Sequence, residues 1–149
     1  MTDNVHSKGS TIWAHAASLS GVDALREVLM RAQIIEPSLS YKISVPASAN
    51  IYENYVTILQ NKGSSSGSNF LKETMPDLCL WMEDSINTPL FHLNYHFSHP
   101  VVLVNLKLTD LLGRPWIWRK TVVRQVLRPV CYAFTENIEE VKDLRSLGL

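Results

Sequence analysis

The sequence predicts an α+β fold of two layers, in which an N-terminal helix and two C-terminal helices cover an antiparallel meander of four to five strands. Three observations predict this fold. Helical periodicity is confined to the two ends of the chain, the segments between them alternate with period two, and the connections between those segments are short. Helices that flank a run of strands are typical of a two-layer sandwich.

The composition is that of an ordinary globular protein of 149 residues, with 46% hydrophobic and 19% charged residues. We expect residues 1–149 to form a single domain, with residues 1–18 frayed. The formal net charge is zero, so nucleic acid or an acidic membrane would have to bind a local patch. No apolar run approaches the roughly 20 residues that span a bilayer, and we expect no secretory leader. The sequence therefore predicts an intracellular protein, cytoplasmic or nuclear, without a membrane span.

The first predicted element is a helix in SGVDALREVLMRAQIIEP, residues 20–37. Ser20 and Asp23 resemble a capping box at its start, and Pro37 ends it. Apolar residues at helical spacing form one stripe, which comprises Val22, Leu25, Val28, Leu29, Ala32 and Ile35. We expect this stripe to pack against the sheet.

Strands are predicted in five segments between the terminal helices: SYKISVP, NYVTILQ, DLCLWMED, the strictly alternating FHLNYHF, and the β-branched run over residues 101–108. Residues 61–69 lie between the second and third of these segments and are rich in Gly and Ser. We predict a flexible loop there, which is either a natural low-complexity segment or an engineered one.

Two helices are predicted near the C-terminus. The first is WIWRKTVVRQVLRP, which ends at Pro129, and VCYAF follows it as a short buried connector. The second is NIEEVKDLRSLGL, where Asn137 and Glu140 nearly form a capping box. Its apolar edge is formed by Ile138, Val141, Leu144 and Leu147.

Candidate site residues concentrate in the alternating strand and after it. His92, Asn94 and His96 form a polar row on one face of that strand. At about 3.4 Å per residue the Cα atoms of the two histidines are roughly 14 Å apart. Ligands of zinc lie about 2.0 Å from the metal, so we predict no metal site and no cofactor. We interpret the row, together with Trp116 and Trp118, as a partner-binding surface.

Cys131 is the candidate nucleophile. It follows Arg124 and Arg128, and neighbouring cations of this kind activate thiols. Its immediate neighbours are apolar, however, and cysteine is among the most buried residue types. The favoured interpretation is therefore a buried structural cysteine.

Four basic residues, Arg119, Lys120, Arg124 and Arg128, fall close to Trp116 and Trp118. Aromatic side chains beside arginines stack on bases, so this segment is a candidate nucleic-acid surface. The alternative is a solvated helix face that the tryptophans anchor to the sheet.

The stretch from Tyr95 to Pro115 also resembles a known arrangement. A tyrosine-bearing strand, the proline at Pro100, an apolar run over residues 101–106 and a turn with Gly113 and Pro115 resemble the central hairpin of the E2-like autophagy conjugating enzymes. The order of elements is similar to that of RWD-type domains. The resemblance implies an α+β sandwich that serves either as a conjugating enzyme or as a non-catalytic docking module. Cys131 stands in Arg-Pro-Val-Cys rather than in the His-Pro-Cys of those enzymes, which favours the docking module.

We therefore predict a non-catalytic docking or scaffold domain of a multiprotein complex, whose partner is another protein or a second copy of the chain. One alternative is a conjugating enzyme for ubiquitin-like proteins that uses Cys131. The other is a nucleic-acid-binding domain that uses the basic segment 114–128.

Overall fold

A computed structural model of the chain describes residues 9–49, 56–59, 64–82, 98–105, 124–125 and 127–149. The strands are β1 (Thr11–Ala16), β2 (Ser40–Pro46), β3 (Val56–Leu59), β4 (Leu78–Met82), β5 (Val101–Val104) and β6 (Val130–Phe134). The helices are α1 (Leu19–Ile35), α2 (Ser64–Thr74) and α3 (Ile138–Leu147), with a 3₁₀ turn over Ala47–Ala49 after β2.

The six described strands form one sheet in the order β3-β2-β1-β4-β5-β6, and every neighbouring pair is parallel. The chain therefore winds outward from β1 to β3, returns to the other side of β1, and winds outward again to β6. This is the doubly wound order of open α/β sheets. The predicted α+β sandwich with an antiparallel meander is wrong, because all of these strands run in one direction.

The sheet separates two apolar cores, since successive side chains of a strand point to opposite faces. On one face α1 packs against β1 and β2, through a cluster of Ala14, Ala16, Val22, Leu25, Leu29, Ile43 and Val45. On the other face α2 and α3 pack against β1, β4 and β5, through a cluster of Trp13, Phe70, Leu71, Cys79, Trp81, Val101, Leu103, Leu127, Leu144 and Leu147. The central strands are thus buried on both sides, as parallel strands usually are.

The predicted first helix is confirmed as α1, but its start differs. Ser18, rather than Ser20, is the N-cap, and its Oγ accepts a hydrogen bond from the amide of Gly21 at 3.1 Å. The helix ends before Pro37, whose ring cannot continue it. Within the predicted stripe Val22, Leu25 and Leu29 are buried, whereas Val28 and Ile35 are 53% and 85% exposed. The buried stripe is therefore narrower than the sequence pattern.

Three segments adopt structure that the sequence analysis did not predict. Residues 11–16, predicted as part of a frayed terminus, form the central strand β1. Gly9 precedes this strand, and a Cβ at this position would clash with the carbonyl oxygen of Ser38. Residues 64–69, predicted as part of a flexible loop, form the first turns of α2, whose later residues Phe70 and Leu71 are buried. The predicted connector VCYAF is strand β6, which ends the sheet formed by the described strands.

The predicted final helix is confirmed as α3. Asn137 is its N-cap and accepts a hydrogen bond from the amide of Glu139 at 2.9 Å, and Gly148 ends it in the left-handed conformation, with φ of 100°. The alternating strand over residues 91–97 lies outside the described residues, as does most of the predicted helix over 116–128. No helix in the described part of the chain is long and apolar enough to cross a membrane.

Candidate functional site

The strand order places a topological switch point between β1 and β4. The first half of the chain winds away from β1 in one direction, and the second half starts at β4 and winds away in the other. At the carboxyl ends of the two strands Ala16 and Met82 are register partners. In open parallel sheets, ligands bind in the crevice outside the carboxyl ends at such a point. We therefore take this edge as the candidate site.

The β1–α1 loop contributes a helix N-terminus to this edge. The loop runs through the small residues Ala16 and Ala17 to Ser18, whose hydroxyl lies 3.1 Å from that of Ser20. Leu19 and Ser20 form the exposed start of α1. The first amide groups of a helix have no intrahelical acceptor, and the helix dipole adds partial positive charge there. This end of α1 is therefore suited to an anion.

The loop does not carry the glycine fingerprint of dinucleotide-binding proteins. Residues 16–21 read Ala-Ala-Ser-Leu-Ser-Gly, with a single glycine at Gly21. The fingerprint needs three glycines, for the turn, for the close approach of a pyrophosphate and for helix packing. The local sequence therefore gives no reason to expect a dinucleotide cofactor here.

A buried polar cluster lies at the same end of β1. His15 and Ser44 are fully buried on adjacent strands. The indole Nε1 of Trp13 donates to Ser44 Oγ at 2.7 Å, and the same Oγ lies 2.8 Å from His15 Nδ1 and 3.5 Å from the carbonyl oxygen of Ala14. An indole N–H can only donate, so the Ser44 oxygen accepts from Trp13. The direction of the hydrogen bond between Ser44 Oγ and His15 Nδ1 depends on the tautomer of the ring.

Aromatic rings connect this polar cluster to the second half of the sheet. The His15 ring lies 4.6 Å from the Trp81 ring on β4, measured between centroids. The Trp13 ring lies 5.2 Å from Trp81 and 5.3 Å from Phe70 on α2. We call Trp13, His15, Phe70 and Trp81 the aromatic cluster. Sequence reasoning missed it because TIWAHA was assigned to the frayed terminus, although Trp13 and His15 alternate with alanines as in a strand.

The candidate nucleophile Cys131 lies on β6, far along the sheet from the switch point. Its side chain is exposed rather than buried, and its thiol donates to the carbonyl oxygen of Val101 at 3.2 Å. The ladder between β5 and β6 is irregular here, because Val101 pairs with Val130 and Val102 with Tyr132, which leaves Cys131 without a register partner. The thiol therefore takes part in the strand pairing at a bulge. By contrast, burial raises the pKa of the Cys79 thiol to about 12.

The other predicted site residues fall into two groups. Arg124 and Arg128 are exposed, and the Nη2 atom of Arg124 donates to the carbonyl oxygen of Ser146 on α3 at 3.1 Å. The remainder lie outside the described residues, namely His92, Asn94, His96, Trp116, Trp118, Arg119 and Lys120. Among the residues that the structure describes, no three His, Cys, Asp or Glu side chains lie close enough together to hold a metal ion.

Sequence comparisons give no relative for this chain: no protein-family model matches it, and no curated protein does. Solved structures do resemble it. A UDP-GlcNAc 2-epimerase from Neisseria meningitidis bound to UDP-GlcNAc matches with a TM-score of 0.64 and 15% identity, over 93% of this chain and 44% of the epimerase. A putative UDP-N-acetylglucosamine 2-epimerase from Listeria monocytogenes matches with a TM-score of 0.63 and 8% identity, over 95% and 43%.

These similarities correct the predicted resemblance and the function drawn from it. The E2-like and RWD-type resemblance is wrong, because the described strands of this chain form a parallel sheet and the similar solved structures are UDP-GlcNAc 2-epimerases. The predicted docking domain and the predicted conjugating enzyme that uses Cys131 both assumed an E2-like α+β fold and are wrong as well. The nucleic-acid-binding alternative also finds no support in these structures. The chain spans less than half the length of either epimerase. At such low identity the comparison shows the fold, and the chain has the α/β fold found in one part of these sugar-nucleotide epimerases.

Proposed function

We propose that this chain is a sugar-nucleotide-binding domain of an enzyme that modifies sugar nucleotides. The observation that carries the proposal is the switch point between β1 and β4, where the exposed N-terminus of α1 meets the carboxyl edge of the sheet. The similarity to epimerases, one of them bound to UDP-GlcNAc, supports the same ligand class. Since the chain covers less than half of those proteins, a second domain or subunit would complete the catalytic site.

The diphosphate of the ligand is the group that fits the start of α1. A diphosphate carries about two negative charges, and both the helix dipole and the outward-pointing amides of the first turn favour anions. Leu19 and Ser20 are exposed at this end, and Ala17 before them has only a methyl side chain. A phosphate oxygen can therefore approach the backbone closely. We expect UDP-GlcNAc and UDP to bind, and uridine to bind much more weakly.

Replacing Ser20 with Asp tests this site. An aspartate in the first turn strengthens a helix, because its charge complements the helix dipole, but the same charge repels a diphosphate. We expect S20D to keep or raise the melting temperature and to weaken UDP-GlcNAc binding by about tenfold, which is about 1.4 kcal/mol. Isothermal titration calorimetry at low salt measures the affinity, and thermal unfolding measures the stability.

Val28→Glu is the matched control for the added charge. Val28 is 53% exposed on the same helix, and eight residues at 1.5 Å each place it about 12 Å from Ser20. We expect V28E to bind UDP-GlcNAc as the native chain does. Equal affinity of S20D and the native chain for UDP-GlcNAc would show that the diphosphate does not bind at the start of α1. A native chain that binds neither UDP-GlcNAc nor UDP would remove the proposed function altogether.

A further inference from the structure

His15 touches both neighbours of β1 directly before the β1–α1 loop. Its register partners are Ser44 on β2 and Trp81 on β4, and it contacts the side chain of each, by a hydrogen bond to Ser44 and by ring packing on Trp81. The residues that follow it are Ala16, the last of β1, and the loop to Ser18. The last side chain of β1 on this face is therefore held from both sides of the switch point.

The chemistry of this position is unusual for a purely structural core. Polar side chains are rarely fully buried, because they lose water and must recover each hydrogen bond inside the protein. An apolar side chain would fill the space beside Trp13 and Trp81 without that requirement. A hydrogen bond between buried polar groups instead fixes one arrangement of the groups that it joins. Here the bond to Ser44 holds β1 against β2, and the ring packing of His15 on Trp81 holds β1 against β4.

We infer that His15 is a positioning residue, which holds the N-terminus of α1 at the switch point through its contacts with Ser44 and Trp81, so that the first-turn amides are fixed for an anionic ligand. The inference rests on the proposed function only for the identity of the ligand. The ordering of the β1–α1 loop by His15 does not depend on that function. His15 is fully buried, so it acts through the backbone of residues 16–18 and does not touch the ligand.

Hydrogen exchange of the ligand-free protein tests the ordering. His15→Leu removes the hydrogen bond to Ser44 and keeps an apolar side chain of similar size. His15→Asn keeps a polar atom close to the position of Nδ1. We expect H15L to speed the exchange of the Gly21 and Val22 amides by about tenfold, because these amides donate to Ser18 Oγ and to the Ser18 carbonyl oxygen and the local opening that breaks both bonds becomes easier. We expect H15N to stay within about threefold of the native rates.

Val101→Ala is the control for general destabilisation. Val101 is fully buried on the same face of the sheet, at the amino end of β5, away from the carboxyl edge. We expect V101A to lower the melting temperature without selectively speeding exchange at Gly21 and Val22. If H15L does not fold, Ser44→Ala replaces it; this change removes the hydroxyl that bonds both His15 Nδ1 and the indole Nε1 of Trp13.

Titration with UDP-GlcNAc separates the two proposals. A native chain that binds, with about tenfold weaker binding in H15L and nearly native binding in H15N, supports both. Native exchange rates at Gly21 and Val22 in a folded H15L or S44A variant overturn the positioning role, whatever the native chain binds. If the native chain binds neither UDP-GlcNAc nor UDP, the proposed function fails and the ligand part of the inference fails with it. The exchange rates of the ligand-free variants then still test whether His15 orders the β1–α1 loop.

Discussion

Cys79 shows how burial of a single residue makes the stability of the protein depend on pH. Its thiol is fully buried in the core cluster that also contains Trp13, Phe70 and Leu71, and burial raises its pKa from 9.0 to about 12. The unfolded chain therefore loses this proton first as the pH rises. The contribution of the neutral Cys79 thiol to the free energy of unfolding is complete below pH 9 and declines between pH 9 and about 12.

We predict that the native protein loses about 1 kcal/mol more stability than a Cys79→Ala variant between pH 8 and pH 10. Tyrosine and lysine side chains also titrate near this range, but they do so equally in both proteins. Urea unfolding at several pH values measures the two slopes. Parallel slopes would mean that the Cys79 thiol ionises in the folded protein as readily as in the unfolded chain.

Helix α1 shows what local sequence can and cannot fix about an element. Its span was predictable, because its apolar residues recur at helical spacing and Pro37 prevents continuation. The N-cap residue was not predictable, because Ser18 and Ser20 both precede an apolar stripe and serine is a good N-cap residue at either position. The tertiary structure decides between them, since β1 ends at Ala16 and the chain must turn into the helix at once.

The two serines give a direct comparison at the start of α1. Ser18 Oγ accepts the hydrogen bond from the amide of Gly21, whereas the hydroxyl of Ser20 contacts Ser18. We predict that Ser18→Ala lowers the free energy of unfolding by about 1 kcal/mol, the usual effect of losing a cap. Ser20→Ala should change the free energy of unfolding by only a few tenths of a kcal/mol, because alanine is favoured inside a helix. Chemical denaturation measures both, and a larger loss in S20A would make Ser20 the cap.

The direction of the strands was the part of the fold that periodicity could not supply. SYKISVP, NYVTILQ, DLCLWMED and the run from Val101 were correctly predicted as strands, since alternation and β-branching are properties of each segment alone. Parallel and antiparallel pairing depend on what connects the segments. Unbroken apolar runs such as Leu78–Met82 were a usable signal, because strands buried on both faces do not alternate. The apolar run of β6, VCYAF, carried the same signal, although the sequence analysis interpreted it as a connector.

At the scale of the whole molecule, the strand order predicts where the sheet resists opening. β1 and β4 have neighbours on both sides and apolar cores on both faces, whereas β3 and β6 end the described sheet. We predict that the amides of Trp13 and Leu80 exchange with deuterium most slowly, near the rate of global unfolding, and that those of β6 exchange much faster. Exchange followed by NMR measures this. Equal protection of β6 and β1 would mean that another segment covers the outer edge of β6.

The candidate site was less predictable from sequence than the elements were. His15 and Ser44 stand 29 residues apart in separate segments, and only the pairing of β1 with β2 brings them together. A histidine between two alanines carries no signal by itself. The sequence instead favours His92 and His96, because their spacing places both on one face of a predicted strand. A topological switch point is a property of the strand order, so no local sequence motif predicts it.

The place of β1 between β2 and β4 has a consequence for how the protein forms on the ribosome. The chain emerges from its N-terminus, so β1, α1, β2 and β3 can assemble first. The other neighbour of β1 is β4, which is synthesised much later. The hydrogen bond from the amide of Thr11 to the carboxylate of Asp77, directly before β4, spans 66 residues of the chain. Until Phe70 and Trp81 have left the exit tunnel, Trp13 and His15 lack the aromatic rings that pack on them in the folded protein. That interval is when the nascent chain is most open to chaperones and to aggregation.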